Sequence, residues 1–147
     1  MGKEVLKKIK KLLKPLSKID IVKAYWIYGS SIKKIRRNKK LSLNNDVDVI
    51  VIYDDTKENY KDYLKQIILN IDFIEESAEK KNIKFHFQPP KSLSNWWRLL
   101  KKGEPWTISS IKNSLILYDP SEFVKLIKNL IKINKFYSKE EKAERLL

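Results

Sequence analysis

The chain has 147 residues, a length that suits one domain. Of these residues 42% are hydrophobic, which is enough for a real core and excludes global disorder. It contains no cysteine, which excludes disulfides and thiolate zinc sites and agrees with a reducing cytoplasm. Its formal net charge of +14 favours a polyanionic partner such as nucleic acid or nucleotide phosphates, although lysines spread evenly over the surface would give the same total.

The first predicted element is an amphipathic helix over about residues 3–14, which Pro15 should end or kink. Apolar residues recur there at helical spacing with lysines between them. Membrane-surface helices have the same pattern, but a narrow apolar stripe without aromatic residues favours packing on the domain. Charges run through this segment and no apolar run approaches the length of a membrane span, so we expect neither a signal peptide nor a membrane partner.

The next predicted elements are an apolar strand and a short helix. The strand covers residues 24–28, and Gly29 breaks it. Ser30 and Ser31 are suited to cap the helix, which should run to about Arg37.

Beyond a polar loop over residues 38–45, helices and strands alternate to the end of the chain. The second strand covers residues 47–53, and we expect Asp55 or Thr56 to cap the long helix that follows it. The later elements are a strand at 83–87, a helix around 96–100 ended by Gly103, a helix opened by Pro105, a strand at 115–118, a helix around 123–131 and a last helix from Ser138. This alternation predicts an α/β or α+β fold with a mixed sheet of three or four strands flanked by helices. The parts of this single domain, 1–147, are the first helix, a core at about 20–119 and C-terminal helices at about 121–147.

Asp46 and Asp48 stand at the start of the second strand, although strands disfavour aspartate. Side chains two residues apart point to the same face, so the two carboxylates converge and repel each other. A divalent metal relieves this repulsion, and Mg²⁺ binds one or two carboxylates together with phosphate oxygens and water. The alternative is a strand cap and an exposed loop acid, which the nearby Gly29-Ser30 pair disfavours. The two aspartates are therefore predicted Mg²⁺ ligands.

Gly29 and Ser30 close the first strand and are candidates to hold a phosphate. Glycine lets the backbone approach a phosphate closely, and the following N–H groups and serine hydroxyl can donate to it. Ser31 and Lys33 continue this candidate nucleotide-binding segment. A phosphate cradle beside a carboxylate pair suits phosphoryl or nucleotidyl transfer.

A run of lysines and arginines over residues 33–40 lies between the two halves of this candidate site. It could guide RNA or a triphosphate toward the aspartates, and solvated surface is the alternative. From a helix that starts at Ser30, only Lys33 and Arg36 or Arg37 would face the pocket.

The order of strand, Gly-Ser pair and Asp-x-Asp within a second strand resembles the nucleotidyltransferase superfamily. This family has the fold of DNA polymerase beta and includes the small minimal nucleotidyltransferases of archaea and bacteria. The matching residues are Tyr28-Gly29-Ser30 and Asp46-Val47-Asp48-Val49-Ile50-Val51. A weaker resemblance continues at Gly103-Glu104-Pro105-Trp106 and Leu115-Ile116-Leu117-Tyr118-Asp119, so that the matching segments span the chain from Val22 to about Asp119.

The resemblance implies an enzyme that moves a nucleoside monophosphate from a nucleoside triphosphate to a hydroxyl group and releases pyrophosphate. Gly29 and Ser30 would hold the triphosphate, while Asp46 and Asp48 would bind one or two Mg²⁺ ions. A protein partner is implied as well, because minimal nucleotidyltransferases of toxin–antitoxin type pair with a helical HEPN protein. The acceptor stays open between RNA, a protein side chain and a small molecule.

The sequence departs from the family on the third strand, where active members usually place a third carboxylate. His86 is the candidate to stand near the metals there, on one strand face with Lys84 and Gln88. Because the family's carboxylate helps to hold the catalytic metal and to deprotonate the acceptor, His86 could act as the base. The alternative is a hydrogen-bonded strand residue with no catalytic part. Two further hypotheses are then a non-catalytic nucleotide-binding module with a HEPN-type partner and a basic nucleic-acid binder with a vestigial site.

Three tryptophans could stack on bases or fill the core. We expect Trp97 and Trp106 to be in the core and Trp96 to be exposed. The amphipathic helices at the two ends could supply the interface of a homo-oligomer.

Overall fold

Helices and strands alternate along the chain, as described by a computed structural model of residues 4–36 and 46–133. The helices are α1 (Glu4–Ser17), α2 (Ser31–Arg36), α3 (Tyr60–Glu79), α4 (Leu93–Lys101), α5 (Pro105–Lys112) and α6 (Phe123–Lys132). The strands are β1 (Val22–Tyr28), β2 (Asp46–Tyr53), β3 (Lys84–Phe87), β4 (Lys91–Ser92) and β5 (Leu115–Tyr118). The predicted loop at 38–45 and the predicted last helix lie outside the described residues. None of the described helices is long and apolar enough to cross a membrane.

The strands form one mixed sheet in the order β3–β2–β1–β5, and the two-residue β4 pairs with the carboxyl end of β2. β1 runs antiparallel to β2 and β5, whereas β2 runs parallel to β3 and β4. Parallel strands need a crossover connection, which α3 supplies between β2 and β3. The predicted mixed α/β fold is confirmed, and β4 is a fifth strand beyond the three or four expected.

Helices cover both faces of the sheet, and each face has its own apolar core. Val49 of β2 belongs to the core beneath α1 and α3. Trp26 and Ile50 belong to the opposite core, beneath α4, α5 and α6. Because side chains alternate along a strand, Asp46 and Asp48 share the second face with Ile50. The two aspartates therefore lie on the same side of the sheet as this second core, just outside its apolar residues.

The first helix is longer than predicted, because α1 continues through Pro15 to Ser17. A proline inside a helix removes one hydrogen bond and crowds the preceding turn, at a cost of about 3 kcal/mol. Leu13 and Leu16 on either side of it are completely buried. Burial of one such side chain contributes about 1.5–3 kcal/mol, so the core contact of Leu16 offsets much of the penalty.

The long helix begins later than predicted, at Tyr60, so neither Asp55 nor Thr56 caps it. The N–H and hydroxyl of Thr56 donate to the Asp54 carboxylate at 2.9 and 2.5 Å and form a turn. Asp55 accepts from the N–H and hydroxyl of Ser94 at 3.0 and 2.9 Å. Both candidate caps are thus engaged in other side-chain hydrogen bonds, which compete with helix capping.

The prediction for the tryptophans is wrong. Trp96 is 1% exposed and packs edge-on against Trp26, whereas Trp97 is 44% and Trp106 is 37% exposed. The buried stripe of α4 runs through Trp96 and Leu100, four residues apart on one helix face. The adjacent Trp97 therefore lies on a different face of the helix.

Candidate functional site

Asp48 lies in a row of polar side chains that crosses three strands. The strand register places it beside Tyr28 of β1 and His86 of β3. Its Oδ1 atom is 3.0 Å from His86 Nδ1, and the two side chains are 25% and 57% exposed. His86 thus lies next to the aspartates, as the sequence indicated, and this contact fixes the orientation of its ring.

Gly29 packs against the other oxygen of the same carboxylate. Its φ of +93° is a conformation that glycine adopts readily and other residues rarely do. A β-carbon added to Gly29 would stand 2.7 Å from Asp48 Oδ2. Both the backbone conformation and the close contact therefore require glycine at the end of β1.

Asp46 is the more exposed of the two aspartates. It pairs in register with Lys84, whose Nζ atom is 3.8 Å from Asp46 Oδ1, and its side chain is 42% exposed. Among the described residues, no three His, Cys, Asp or Glu side chains form a group that could hold a metal ion. Two carboxylates fit Mg²⁺, because this ion usually takes one or two of them and completes its shell with phosphate oxygens and water. We call Asp46, Asp48 and His86 the carboxylate site.

Tyr28, which was not among the predicted site residues, also borders this site. Burial raises the pKa of its hydroxyl, the Asp48 charge raises it further, and a hydrogen bond with Gln88 lowers it. Because the pKa is raised overall, the hydroxyl stays protonated at neutral pH and can donate to a bound group. The available sequence signal was its position directly before Gly29, at the end of an apolar strand.

The predicted phosphate-binding segment has both exposed and buried residues. Ser30 is exposed next to Gly29, and Lys33 is exposed on α2. Ser31 is only 3% exposed, and its hydroxyl has no hydrogen-bond partner among the described residues. The structure thus brings Gly29 against Asp48 and separates the Ser31 hydroxyl from the solvent.

A cleft of about 680 Å³ opens beside the carboxylate site, between α2, α5 and α6. Tyr28 and Gly29 form part of its wall, so the cleft and the carboxylate site are adjacent. Five cationic side chains line it: Lys33, Arg36, Lys112, Lys128 and Lys132. No Asp or Glu is among the described residues that line it. We call this region the cationic cleft.

Sequence reasoning found only part of the cationic cleft. It indicated Lys33 and one of the arginines that follow, but not the lysines of α5 and α6. Lys128 and Lys132 are four residues apart on α6, which puts them on one helix face. This spacing in the sequence indicates a basic face on α6, but it does not show which other helix that face approaches.

No protein-family model matches the chain, and no curated protein sequence matches it. The chemistry of the site therefore follows from its own atoms. Two carboxylates share a strand face, an imidazole contacts one of them, and a glycine backbone packs on its other side. Such a set can bind a divalent cation and accept a proton.

Proposed function

We propose that this protein is a Mg²⁺-dependent nucleotidyltransferase that moves a nucleoside monophosphate from a nucleoside triphosphate to a hydroxyl group. The observation that carries the proposal is the packing of Gly29 against Asp48, with a β-carbon position only 2.7 Å from Oδ2. This contact joins the two halves of the sequence pattern, the Gly-Ser pair and the Asp-x-Asp. A cytoplasmic location, which the lack of cysteine favours, fits this activity.

In this proposal Asp46 and Asp48 hold Mg²⁺, and the Gly29 backbone leaves room for a phosphate beside them. When bound, Mg²⁺ offsets the charge of the triphosphate and holds its oxygens for displacement. The two acids start from pairings with Lys84 and His86, so a bound ion would compete with these side chains for the same oxygens. Lys84 and His86 are both more than half exposed, so they are free to turn away from the acids. An exposed ion pair such as that of Lys84 with Asp46 contributes only about 0–1 kcal/mol.

The proposed reaction is an in-line displacement at the α-phosphorus. The acceptor oxygen forms a bond to this phosphorus, the bond to the bridging oxygen of the β-phosphate breaks, and pyrophosphate leaves. His86 is suited to take the acceptor's proton, because the tautomer that donates from Nδ1 to Asp48 leaves Nε2 as a proton acceptor. Tyr28, protonated at neutral pH, can donate to a phosphate oxygen.

Thermal unfolding tests the proposal. Each nucleoside triphosphate is added with and without Mg²⁺ to the wild-type protein and to the Asp46→Ala/Asp48→Ala variant. A ligand at about 100 times its dissociation constant stabilises a protein by about 2.7 kcal/mol, and we expect this Mg²⁺-dependent gain only in the wild type. The matched control is Asp20→Ala, which removes an exposed acid paired with Lys57 at 2.8 Å. A gain that persists in the double variant, or no gain with any nucleotide, would contradict the proposal.

A second candidate function is a nucleotide-binding module without turnover that acts with a helical HEPN-type partner. The observation that favours it is that, among the described residues, no third carboxylate joins Asp46 and Asp48 in a group that could hold a metal ion. Release of pyrophosphate separates the two candidates. The module predicts Mg²⁺-dependent nucleotide binding with no pyrophosphate released in the presence of RNA, protein or small-molecule acceptors, whereas the enzyme predicts release with one of them.

A further inference from the structure

The cationic cleft holds five positive charges that the protein's described acids do not pair with. Among the described residues, none of its five cations forms an ion pair with a carboxylate. Burial lowers the pKa of Lys128, and the charges of Lys132 and Arg36 lower it further. Arg36 and Lys132 are therefore close enough to Lys128 to disfavour its charged form, so an anion bound from outside would stabilise the cleft.

One of these cations is held in place by a hydrogen bond, and a second lies on the same helix face. Lys128 is half-buried and donates through Nζ to the Ser114 carbonyl oxygen at 2.6 Å. Lys132 follows one turn later on α6, so both lie along the same side of the cleft. A row of cations on one helix face presents charge along a line, as a phosphate backbone requires.

The charge and size of the cleft indicate what it binds. Mg²⁺ itself offsets much of the charge of a triphosphate, so a nucleotide alone leaves part of this cluster uncompensated. A nucleic-acid strand adds one negative charge with each nucleotide. The volume of about 680 Å³ lies in the range of pockets that bury a drug-sized molecule, which suits the terminal nucleotides of a single strand.

The cleft also offers an aromatic surface. Trp106 lines it, remains 37% exposed and packs edge-on against Tyr28 at 5.7 Å between ring centroids. Exposed aromatic rings next to a row of cations are the usual components of single-strand binding, in which bases stack and the backbone follows the charges.

We propose that the cationic cleft binds the backbone of a single-stranded nucleic acid, with the end of the strand next to Gly29, where its terminal hydroxyl is the acceptor for the carboxylate site. The acceptor role rests on the proposed nucleotidyltransferase function. The binding itself does not, because the cleft cations are separate from Asp46, Asp48 and His86.

Fluorescence anisotropy with a short fluorescein-labelled oligoadenylate RNA, without nucleotide or Mg²⁺, tests the binding. We expect Lys128→Ala/Lys132→Ala to weaken binding about tenfold and to reduce the slope of log affinity against log salt by about 1.4, from two lost phosphate contacts. The matched control is Lys7→Ala/Lys11→Ala on α1, an exposed lysine pair with the same spacing that lies across the sheet. Equal losses in both double variants, or no loss in the cleft variant, would overturn the proposal.

Further arms separate the remaining interpretations. Lys132→Glu leaves the bond from Lys128 to Ser114 intact, so it should weaken RNA binding without loss of stability. A DNA strand of the same sequence distinguishes backbone binding from recognition of the RNA 2′-hydroxyl. If the cleft variant instead lost the Mg²⁺-dependent stabilisation by nucleotide and kept RNA affinity, the cleft would be a nucleotide pocket and the proposal would fail. If RNA bound in the cleft but no pyrophosphate were released, the cleft assignment would stand and the proposed enzyme function would fail.

Discussion

Two charged regions meet at Tyr28 and Gly29, and they differ in how their charges are compensated. In the carboxylate site, Asp48 contacts His86 at 3.0 Å and Asp46 lies 3.8 Å from Lys84. In the cationic cleft, no described carboxylate lies among the lining residues. In the first region each carboxylate has a partner among the protein's own side chains. The second region is complementary to an anion that none of the described residues lining it supplies. This difference suits the two regions to different parts of the proposed reaction, the first to the metal with its phosphates and the second to the strand that would accept the nucleotide.

The largest effect should come from His86→Asn, which tests whether the carboxylate site moves a proton. Asparagine can still donate to Asp48 but cannot act as a base, and loss of a general base typically costs about 10²–10⁴-fold in rate. We expect kcat for pyrophosphate release to fall by about 100-fold or more, with little change in KM. The control is Mg²⁺-dependent thermal stabilisation by nucleotide, which should be retained. An unchanged kcat would reduce His86 to a positioning partner of Asp48.

The local parts of this arrangement could be predicted from sequence, because they depend on neighbouring residues. Strand alternation puts Asp46 and Asp48 on one face, and a glycine at a strand end indicates a special backbone conformation. The position of His86 beside them followed only from the resemblance to a family, since the register of β3 against β2 is a non-local property.

The cationic cleft could not be predicted because it depends on how helices far apart in the chain pack together. Lys33 belongs to α2, whereas Lys128 belongs to α6, and nothing local to either helix indicates that they approach. The same limit explains the error over Trp96 and Trp97. The two adjacent tryptophans are chemically identical, and only the packing of α4 on the sheet decides which one is buried.

A smaller effect is expected from Gly29→Ala, which disturbs the boundary between the two regions. The positive φ and the contact of the new β-carbon with Asp48 Oδ2 should together destabilise the fold by about 1–3 kcal/mol. Movement of the carboxylate should also remove the Mg²⁺-dependent stabilisation by nucleotide, as thermal unfolding measures. Gly103→Ala is the control, because Gly103 also has a positive φ, of +73°, and is not beside Asp48. Equal loss of nucleotide stabilisation in both variants would show that strain alone is responsible.

The smallest effect should come from Glu104→Ala, which loosens the wall of the cleft without touching the carboxylate site. Glu104 caps α5, since its carboxylate accepts from the N–H of Trp106 at 3.0 Å and from the N–H and hydroxyl of Thr107 at 2.7 and 2.6 Å. Loss of an N-cap costs about 1 kcal/mol. We expect that loss in urea unfolding at neutral pH, together with a slight weakening of RNA binding, because Trp106 follows in the first turn of α5.

The pH dependence of this loss identifies the carboxylate as its cause. Burial raises the pKa of Glu104, but the hydrogen bonds from Thr107 and Trp106 lower it overall below its ordinary value of 4.5. A lowered pKa in the folded state means that the stabilisation is fully present above about pH 4.5 and is lost as the pH falls through the folded value. The difference between wild type and Glu104→Ala should therefore shrink under acid conditions. Glu122→Ala is the matched control, because Glu122 precedes α6 without a side-chain capping bond. A loss of stability of the same size in that variant would show that capping by the Glu104 carboxylate is not the cause.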